Sequence, residues 1–279
     1  MLLRAPAKLN LCLYLGRRRE DGLHELCSLF EPLELADLIE VTPAERDEVI
    51  CPGVEGENLA MGALAGLRER GWEHEPLRIR IDKRVPVAAG LGGGSGDAAA
   101  VLRLAAGGVA DLPQLAAQLG ADVPSQLRPS LALVQGIGER IEPLPEPAEH
   151  AAVLLPGGGG LSTAAVFAEA DRLGLGREPE ELEGLAARLR EVAGAGASPL
   201  SYPDLLVNDL EPAALSLRPD IGEALQQLRA AGAPLAILSG SGPTAVGLFP
   251  DLAAAKAAAE GLDSEEAIVC AAGHARLTP

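Results

Sequence analysis

Hydrophobic and polar positions alternate near the start of the chain. Leu9, Leu11, Leu13 and Leu15 fall on one parity, with Asn10, Cys12 and Tyr14 between them, the period of two that predicts a strand. The first 35 residues read as extended, broken by a polar, glycine-ended turn or loop at Arg17–Gly22. Asp37–Thr42 reads as another strand. Ala60, Ala63, Leu64 and Leu67 have helical spacing, so residues 58–70 read as a helix that Gly71 can end. Arg78-Ile79-Arg80-Ile81-Asp82 alternates again, and the strand-like run Leu77–Val85 leads into a glycine-rich loop. Behind that loop Ala98, Val101, Leu102 and Ala105 share a helical face. Asp111 can cap a helix carrying Leu112, Leu115, Ala116 and Leu119, stopped by Gly120. Leu131–Val134 is strand-like.

Pro143, Pro145 and Pro147 then punctuate the chain, and a domain boundary is expected near residue 148, dividing it into 1–148 and 149–279. Beyond it, Leu182, Leu185, Ala186 and Leu189 mark one helix, and Ile221, Ala224, Leu225 and Leu228 another. A strand (Pro234–Leu238), a glycine turn, a strand (Thr244–Phe249), a helix (Ala253–Leu262) and a last strand (Ala267–Cys270) follow. Residues 194–203, rich in Gly, Ala, Ser and Pro, read as a mobile loop. Strands and helices mixed with hairpin-like pairs predict α+β architecture in both halves.

Composition narrows the function. Lys+Arg 23 against Asp+Glu 40 gives a net charge of -17. That opposes nucleic-acid or anionic-membrane partners, which need positive potential. It leaves a nucleotide substrate open, because converging backbone amides hold phosphate in an acidic protein. No apolar run approaches the ~20 residues of a membrane helix, and Lys8 and Asn10 interrupt the first apolar stretch as no signal peptide would. Cys12, Cys27, Cys51 and Cys270 have no metal or disulfide spacing and read as reduced thiols of a cytoplasmic protein. Only Lys8, Lys83 and Lys256 are lysines, against twenty arginines among the 23 basic residues. Lys256 sits in a solvated helix pattern, whereas Lys8 does not.

The strongest chemical signal is Pro86-Val87-Ala88-Ala89-Gly90-Leu91-Gly92-Gly93-Gly94-Ser95-Gly96-Asp97. Glycines let backbone N–H groups converge, and the helix behind adds a partial positive charge, which together make a phosphate site. A flexible linker is the alternative, but a linker is not followed at once by an amphipathic helix. Neither the Walker nor the dinucleotide spacing is present.

Three further segments stand out. In Pro6-Ala7-Lys8-Leu9-Asn10-Leu11, Lys8 and Asn10 share a strand face, which is either a site or an ordinary wet face. In Leu119-Gly120-Ala121-Asp122-Val123-Pro124, Asp122 is either a functional carboxylate or a helix cap. Leu238-Ser239-Gly240-Ser241-Gly242-Pro243-Thr244 taken alone is a hairpin turn.

Together, in this order, these segments resemble the three motifs of the GHMP kinase superfamily. Arg18-Arg19-Glu20-Asp21-Gly22-Leu23-His24-Glu25, Gly-Ala-Asp-Val-Pro and Gly136-Ile137-Gly138-Glu139 are similar to its branch acting on a cytidyl-linked methylerythritol. The resemblance spans most of the chain and is densest before residue 142. It implies a two-domain α+β kinase, with a ribosomal-protein-like N-terminal domain and a ferredoxin-like C-terminal domain. It also implies transfer of the ATP γ-phosphate to a tertiary hydroxyl in isoprenoid precursor synthesis, with ATP and Mg²⁺ as cofactors. Lys8 and Asp122 match the catalytic pair: a carboxylate can accept the alcohol's proton, and an ammonium offsets charge on the moving phosphoryl group. Residues 86–96 match the ATP loop. Asn10, His24, Thr163 and Phe167 match substrate-binding positions, His24 at the cytosine edge and Phe167 stacked on the base.

Two departures are visible. Leu23 stands where the branch has a tyrosine that completes an aromatic sandwich, and the pocket is alternatively rebuilt around Tyr14 or Tyr202. Gly96 stands where a second serine hydroxyl is usual. The competing readings are a homoserine- or mevalonate-type kinase, which His24 and Gly-Ala-Asp-Val-Pro disfavour, and a non-catalytic nucleotide sensor, which has no use for Lys8 and Asp122. An RNA-binding role on the ribosomal-protein-like fold is opposed by the charge.

Overall fold

The computed structural model describes residues 1–277 except Glu55, Glu57, Asp263 and Glu265. The alternating N-terminal segment forms two long strands, β1 (Leu2–Arg18) and β2 (His24–Pro43), paired antiparallel. β1 therefore runs into the segment expected to be a turn, which is confined to residues 19–23 and closed by Arg19 N donating to the Leu23 carbonyl at 2.8 Å. The register slips between Pro6 and Lys8 and between Asn10 and Cys12. Such bulges re-aim side chains, and these two bracket Lys8 and Asn10.

Next come β3 (Glu48–Ile50), α1 (Leu59–Glu69), β4 (Leu77–Asp82), α2 (Gly93–Arg103), α3 (Leu112–Leu119), α4 (Val123–Gln126), β5 (Ala132–Gly136) and β6 (Arg140–Pro143). β2 is the hub of the first sheet. Its early residues pair with β5 and its later ones with β4; β3 lies parallel beside β4, and β6 antiparallel beside β5. Asn58 caps α1, its Oδ1 accepting from Ala60 N at 2.9 Å, and Ala60, Ala63, Leu64 and Leu67 are buried as their spacing predicts. They pack with Ile39, Ile79, Ile81 and the apolar face of α2. Asp111 differs from expectation. It precedes α3 with φ 58° and its side chain makes no capping bond, because capping requires an extended backbone that aims the oxygen at the first amides.

The second half contains β7 (His150–Leu155), α5 (Thr163–Leu173), α6 (Pro179–Gly194), α7 (Glu211–Leu217), α8 (Asp220–Ala230), β8 (Leu235–Leu238), β9 (Ala245–Phe249), α9 (Leu252–Glu260) and β10 (Ile268–Ala272). Its strands form an antiparallel sheet in the order β10-β7-β9-β8. Residues 194–203, expected as a mobile loop, carry defined local structure. Pro199–Ser201 and Pro203–Leu205 form two single 3₁₀ turns, and Tyr202, Leu205 and Leu206 are buried. The prolines pre-set the turn geometry and the apolar side chains pull it onto the core.

The two sheets meet through one residue pair, Leu33 with Ala272. Polar contacts reinforce the join. His150 Nε2 lies 3.0 Å from the Glu31 carboxylate, both side chains fully buried. Arg177 binds Asp209 through two bonds of 2.5 and 2.7 Å, and Asp209 also accepts from Leu15 N at 3.0 Å. This join sets β1 against the Ser239–Thr244 turn. Among the described residues, no helix is long and apolar enough to cross a membrane.

Candidate active site

The glycine loop between β4 and α2 lines a cavity of about 370 Å³ with all of Pro86–Ser95, together with Cys51, Asn58, Lys83 and Asp97. Gly90 has φ 75°, and a Cβ there would come within 2.8 Å of the carbonyl oxygens of both Ser239 and Gly242. Glycine thus lets the loop lie directly on the Ser239–Thr244 turn. Ser239 Oγ donates to the Gly90 carbonyl at 3.2 Å and Thr244 Oγ1 to the Ala89 carbonyl at 2.6 Å. The third motif is therefore the buttress of the glycine loop rather than a plain hairpin. Gly96 does not line the cavity. Its N–H bonds the Gly92 carbonyl at 2.8 Å inside α2, and its Cβ direction meets the Pro6 carbonyl at 3.0 Å. A hydroxyl built there would face β1, not a phosphate.

Lys83 was not singled out as a site by pattern. Its ammonium donates to Asp37 and, at 2.9 Å, to Asp97 Oδ2. Asp37 Oδ1 also accepts from Arg84 N at 2.6 Å and Val85 N at 2.8 Å, which anchors the start of the loop. Burial pushes the Asp97 carboxyl up to about 7; the Lys83 ammonium opposes the rise and the neighbouring Asp37 charge adds to it. The available signal was that Lys83 is one of three lysines in an arginine-rich chain.

Gly90 and Gly92 also wall a second cavity, of about 760 Å³, that runs between the two halves. At one end the bulged β1 presents Lys8 Nζ, which donates to Asn10 Oδ1 at 2.7 Å and the Gly90 carbonyl at 3.3 Å and lies 3.3 Å from Asp122 Oδ2. Lys8 is buried and its ammonium sits 5.0 Å over the Phe30 ring. Asn10 Nδ2 donates to Ser28 Oγ at 2.9 Å, and Asn10 N to Ser239 Oγ at 3.3 Å. Asp122 precedes α4 but makes no capping bond, so its carboxylate is left to Lys8 and the cavity. Ser28, which helps hold this end together, reads in the sequence as an ordinary strand residue.

At the other end His24 is buried. Its Nδ1 donates to the Gly16 carbonyl at 2.9 Å, and Nε2 lies 3.1 Å from Asp171 Oδ1. Phe167, half-buried on α5, packs on the His24 ring with centroids 5.5 Å apart and planes at 49°. Leu23 lines the same cavity and is 48% exposed. Tyr14 and Tyr202 do not replace its missing ring: both are buried in the core, Tyr14 Oη donating to the Leu205 carbonyl at 2.8 Å. Thr163, at the start of α5, bonds Ser241 Oγ at 2.9 Å midway along the cavity. The structure thus collects Lys8, Asn10, Asp122, His24, Thr163 and Phe167 around one space, with the glycine loop as its shared wall.

Comparisons with known proteins place the chain in a family. The family models described as "GHMP kinases N terminal domain" and "GHMP kinases C terminal" match residues 58–128 and 197–268. The 4-diphosphocytidyl-2-C-methyl-D-erythritol kinase of Kineococcus radiotolerans is 40% identical over 276 residues, spanning 91% of this chain and 82% of that relative. The enzyme of the same name from Anaeromyxobacter sp. is 40% identical over 293 residues, spanning 99% of this chain and 92% of its own. A crystal structure of 4-(cytidine 5'-diphospho)-2C-methyl-D-erythritol kinase superposes with a TM-score of 0.81 at 38% identity, covering 99% of this chain and 100% of that one. Homoserine kinase from Cytophaga hutchinsonii, at 17% identity, shares the fold with a TM-score of 0.69. With its two-domain α+β architecture, its buttressed glycine loop and these relatives along nearly its whole length, the chain belongs to the GHMP kinases and, within them, to the 4-diphosphocytidyl-2-C-methyl-D-erythritol kinase family.

Proposed function

We propose that the protein transfers the γ-phosphate of ATP to the tertiary 2-hydroxyl of 4-diphosphocytidyl-2-C-methyl-D-erythritol, a step of isoprenoid precursor synthesis. The observation that carries this reading is the Lys8–Asp122 pair, 3.3 Å apart at the place where the glycine-loop cavity and the interdomain cavity share a wall. ATP lies along Pro86–Ser95 with its phosphates toward Gly90 and Gly92, and the alcohol lies beside Asp122. The Asp122 carboxylate accepts the hydroxyl proton as oxygen attacks phosphorus. The Lys8 ammonium, held by Asn10 and Gly90, stabilises charge on the moving phosphoryl group. Positioning does the remainder, as phosphoryl transfer demands. Asn10, Thr163, His24 and Phe167 orient the second substrate, with the cytosine at the His24–Phe167 end.

Among the described residues no group of three or more His, Cys, Asp or Glu side chains is placed to hold a metal ion. The site fits Mg²⁺ carried in on the nucleotide's own phosphates, with the Ser95 hydroxyl in the loop wall as a protein oxygen. Bound there, Mg²⁺ supplies neutralisation of phosphate charge. The division at residue 148 falls between β6 and β7, where the strands of one sheet give way to those of the other, which supports domains of 1–148 and 149–279. Incubation with ATP, Mg²⁺ and the cytidyl substrate, followed by phosphorus NMR, tests the reading. A new phosphomonoester on the methylerythritol is expected, and no turnover of this substrate, or undiminished turnover without divalent metal, refutes it.

A further inference from the structure

The helix behind the glycine loop, α2, is anchored to different partners at its two ends. At the N-terminal end the Leu91 carbonyl of the loop accepts from Lys8 N at 2.9 Å. At the C-terminal end stands Arg103, the last residue of the helix. Its Nη2 donates to the Arg4 carbonyl on β1 at 2.9 Å, and its Nη1 donates to the Gln126 carbonyl at the end of α4 at 2.7 Å. The 11 residues of α2 span about 16 Å, and Arg4 to Lys8 along a strand is about 13 Å. So α2 lies against the stretch of β1 that ends in Lys8 and is bonded to it at both ends.

The weak part of this frame is α4. It is a single turn of 4 residues, too short to be stable by itself. Asp122 stands immediately before it, and Ser125 Oγ donates back to the Asp122 carbonyl at 2.8 Å, so the aspartate moves with the turn. Among the described residues no hydrogen bond runs directly from β1 to α4, whereas Arg103 reaches both. Arg103 is partly buried, and burial pulls its pKa down to about 10, leaving it charged at neutral pH. Taking a cation out of water is costly, and here two charge-assisted bonds to carbonyls offset that cost.

We propose that Arg103 is a positioning residue for phosphoryl transfer, its guanidinium fork fixing the place of Asp122, ahead of α4, relative to Lys8 on β1. This rests on the kinase reading above. Arg103 lines neither the glycine-loop cavity nor the interdomain cavity, so it acts through the pair and not on substrate. A planar fork serves two acceptors on separate elements, which the compact ammonium of lysine does not reproduce. Without the fork α4 is free to shift, and a misplacement of about 1 Å costs about 10²-fold in rate.

The test uses Arg103→Met, which removes both donors, and Arg103→Lys, which keeps the charge. Kinetics with ATP, Mg²⁺ and the cytidyl substrate are paired with NMR of protein carrying lysine labelled with ¹³C at Cε, which gives one signal for each of Lys8, Lys83 and Lys256. Arg103→Met should lower kcat about tenfold or more, with both KM values within about threefold of wild type. Its Lys8 signal should shift as Asp122 moves away. The signals of Lys83, bonded to Asp97 on α2, and of exposed Lys256 should stay. Arg103→Lys, the variant better able to fold, should still lose about threefold or more in kcat. A merely structural role would shift Lys83 along with Lys8 and raise both KM values, and that outcome overturns the assignment. So does wild-type kcat in either variant, or an unmoved Lys8 signal in Arg103→Met. Wild-type protein that does not phosphorylate the cytidyl substrate refutes the proposed function, and the Lys8 signal then still decides whether Arg103 holds the pair together.

Discussion

Replacing Gly92 by alanine tests how tightly the site depends on the position of Lys8. Gly92 has φ 68° and ψ 17°, the left-handed region, where an L-residue costs roughly 1–2 kcal/mol. For a chain of this size that lowers Tm by about 2–4 °C per kcal/mol. The added Cβ would stand 2.8 Å from Lys8 Cγ and 3.1 Å from Cε. Restoring ordinary contact of 3.4 Å requires the lysine stem to move by about 0.6 Å, on the scale at which a misplacement of about 1 Å costs 10²-fold in rate. The stem has little room to yield: its side chain is 7% exposed, and its ammonium is tied to Asn10 Oδ1 at 2.7 Å and to the Gly90 carbonyl and Asp122 at 3.3 Å each. Gly92→Ala should therefore reduce kcat by about 10- to 100-fold. Gly71→Ala is the control. Gly71 has φ 76° with nothing within 4 Å of its Cβ position, so it incurs the backbone cost without touching Lys8. The assay is a pair of measurements, thermal unfolding and kcat at saturating ATP and cytidyl substrate. The two variants should melt at similar temperatures while only Gly92→Ala loses turnover. If Gly92→Ala keeps more than about a third of wild-type kcat, the argument from a sub-ångström displacement is wrong.

Asp122→Asn should fold normally, since Asp122 caps nothing, and lose about 10²–10⁴-fold in kcat; nearly normal turnover would reduce Asp122 to a bystander. Leu23→Tyr should restore an aromatic face beside the His24–Phe167 end and lower KM for the cytidyl substrate by up to roughly tenfold at constant kcat, given the ~0.5–1.5 kcal/mol of an aromatic pair. An unchanged or raised KM counts against Phe167 being the single aromatic partner of the base. Asp97, whose carboxyl is raised to about 7 chiefly by burial, binds its proton more tightly folded than unfolded. Its contribution to stability is complete below the ordinary carboxylate range and is lost as pH rises toward about 7. Urea unfolding of wild type and Asp97→Asn across that window should give a flatter pH dependence for the variant, and superimposable curves would show that Asp97 is not the group responsible.

Much of the fold was legible from the chain. The alternation through Leu9–Leu15 and Arg78–Asp82, and the helical stripe Ala60–Leu67, are local patterns that each bury one face, so periodicity finds them without knowledge of the partner. The short, wet strands β3 and β6 carry too few residues to show a period. Asp111 and residues 194–203 depart from their local chemistry, a carboxylate before a helix and a Gly-Ala-Ser-Pro tract, which is overridden by a left-handed backbone and by burial of Pro199 and Tyr202.

The candidate site divides the same way. Residue types with specific chemistry in specific local company are properties of the chain alone: Lys8 with Asn10, the glycine run, and Asp122 after Gly-Ala. Which of them meet is not. The 3.3 Å between Lys8 and Asp122 spans 114 positions of chain. The contact of Gly90 with Ser239 spans 149, and that of His24 with Asp171 depends on how α5 is laid across the join of two sheets. Ser28 and Asp171 carry no local signal because their contacts are with groups remote in sequence. Local free energy selects strands and helices from their neighbours' polarity, but only closure of the long-range sheet and the fit between the halves sets which polar atoms end within hydrogen-bond reach.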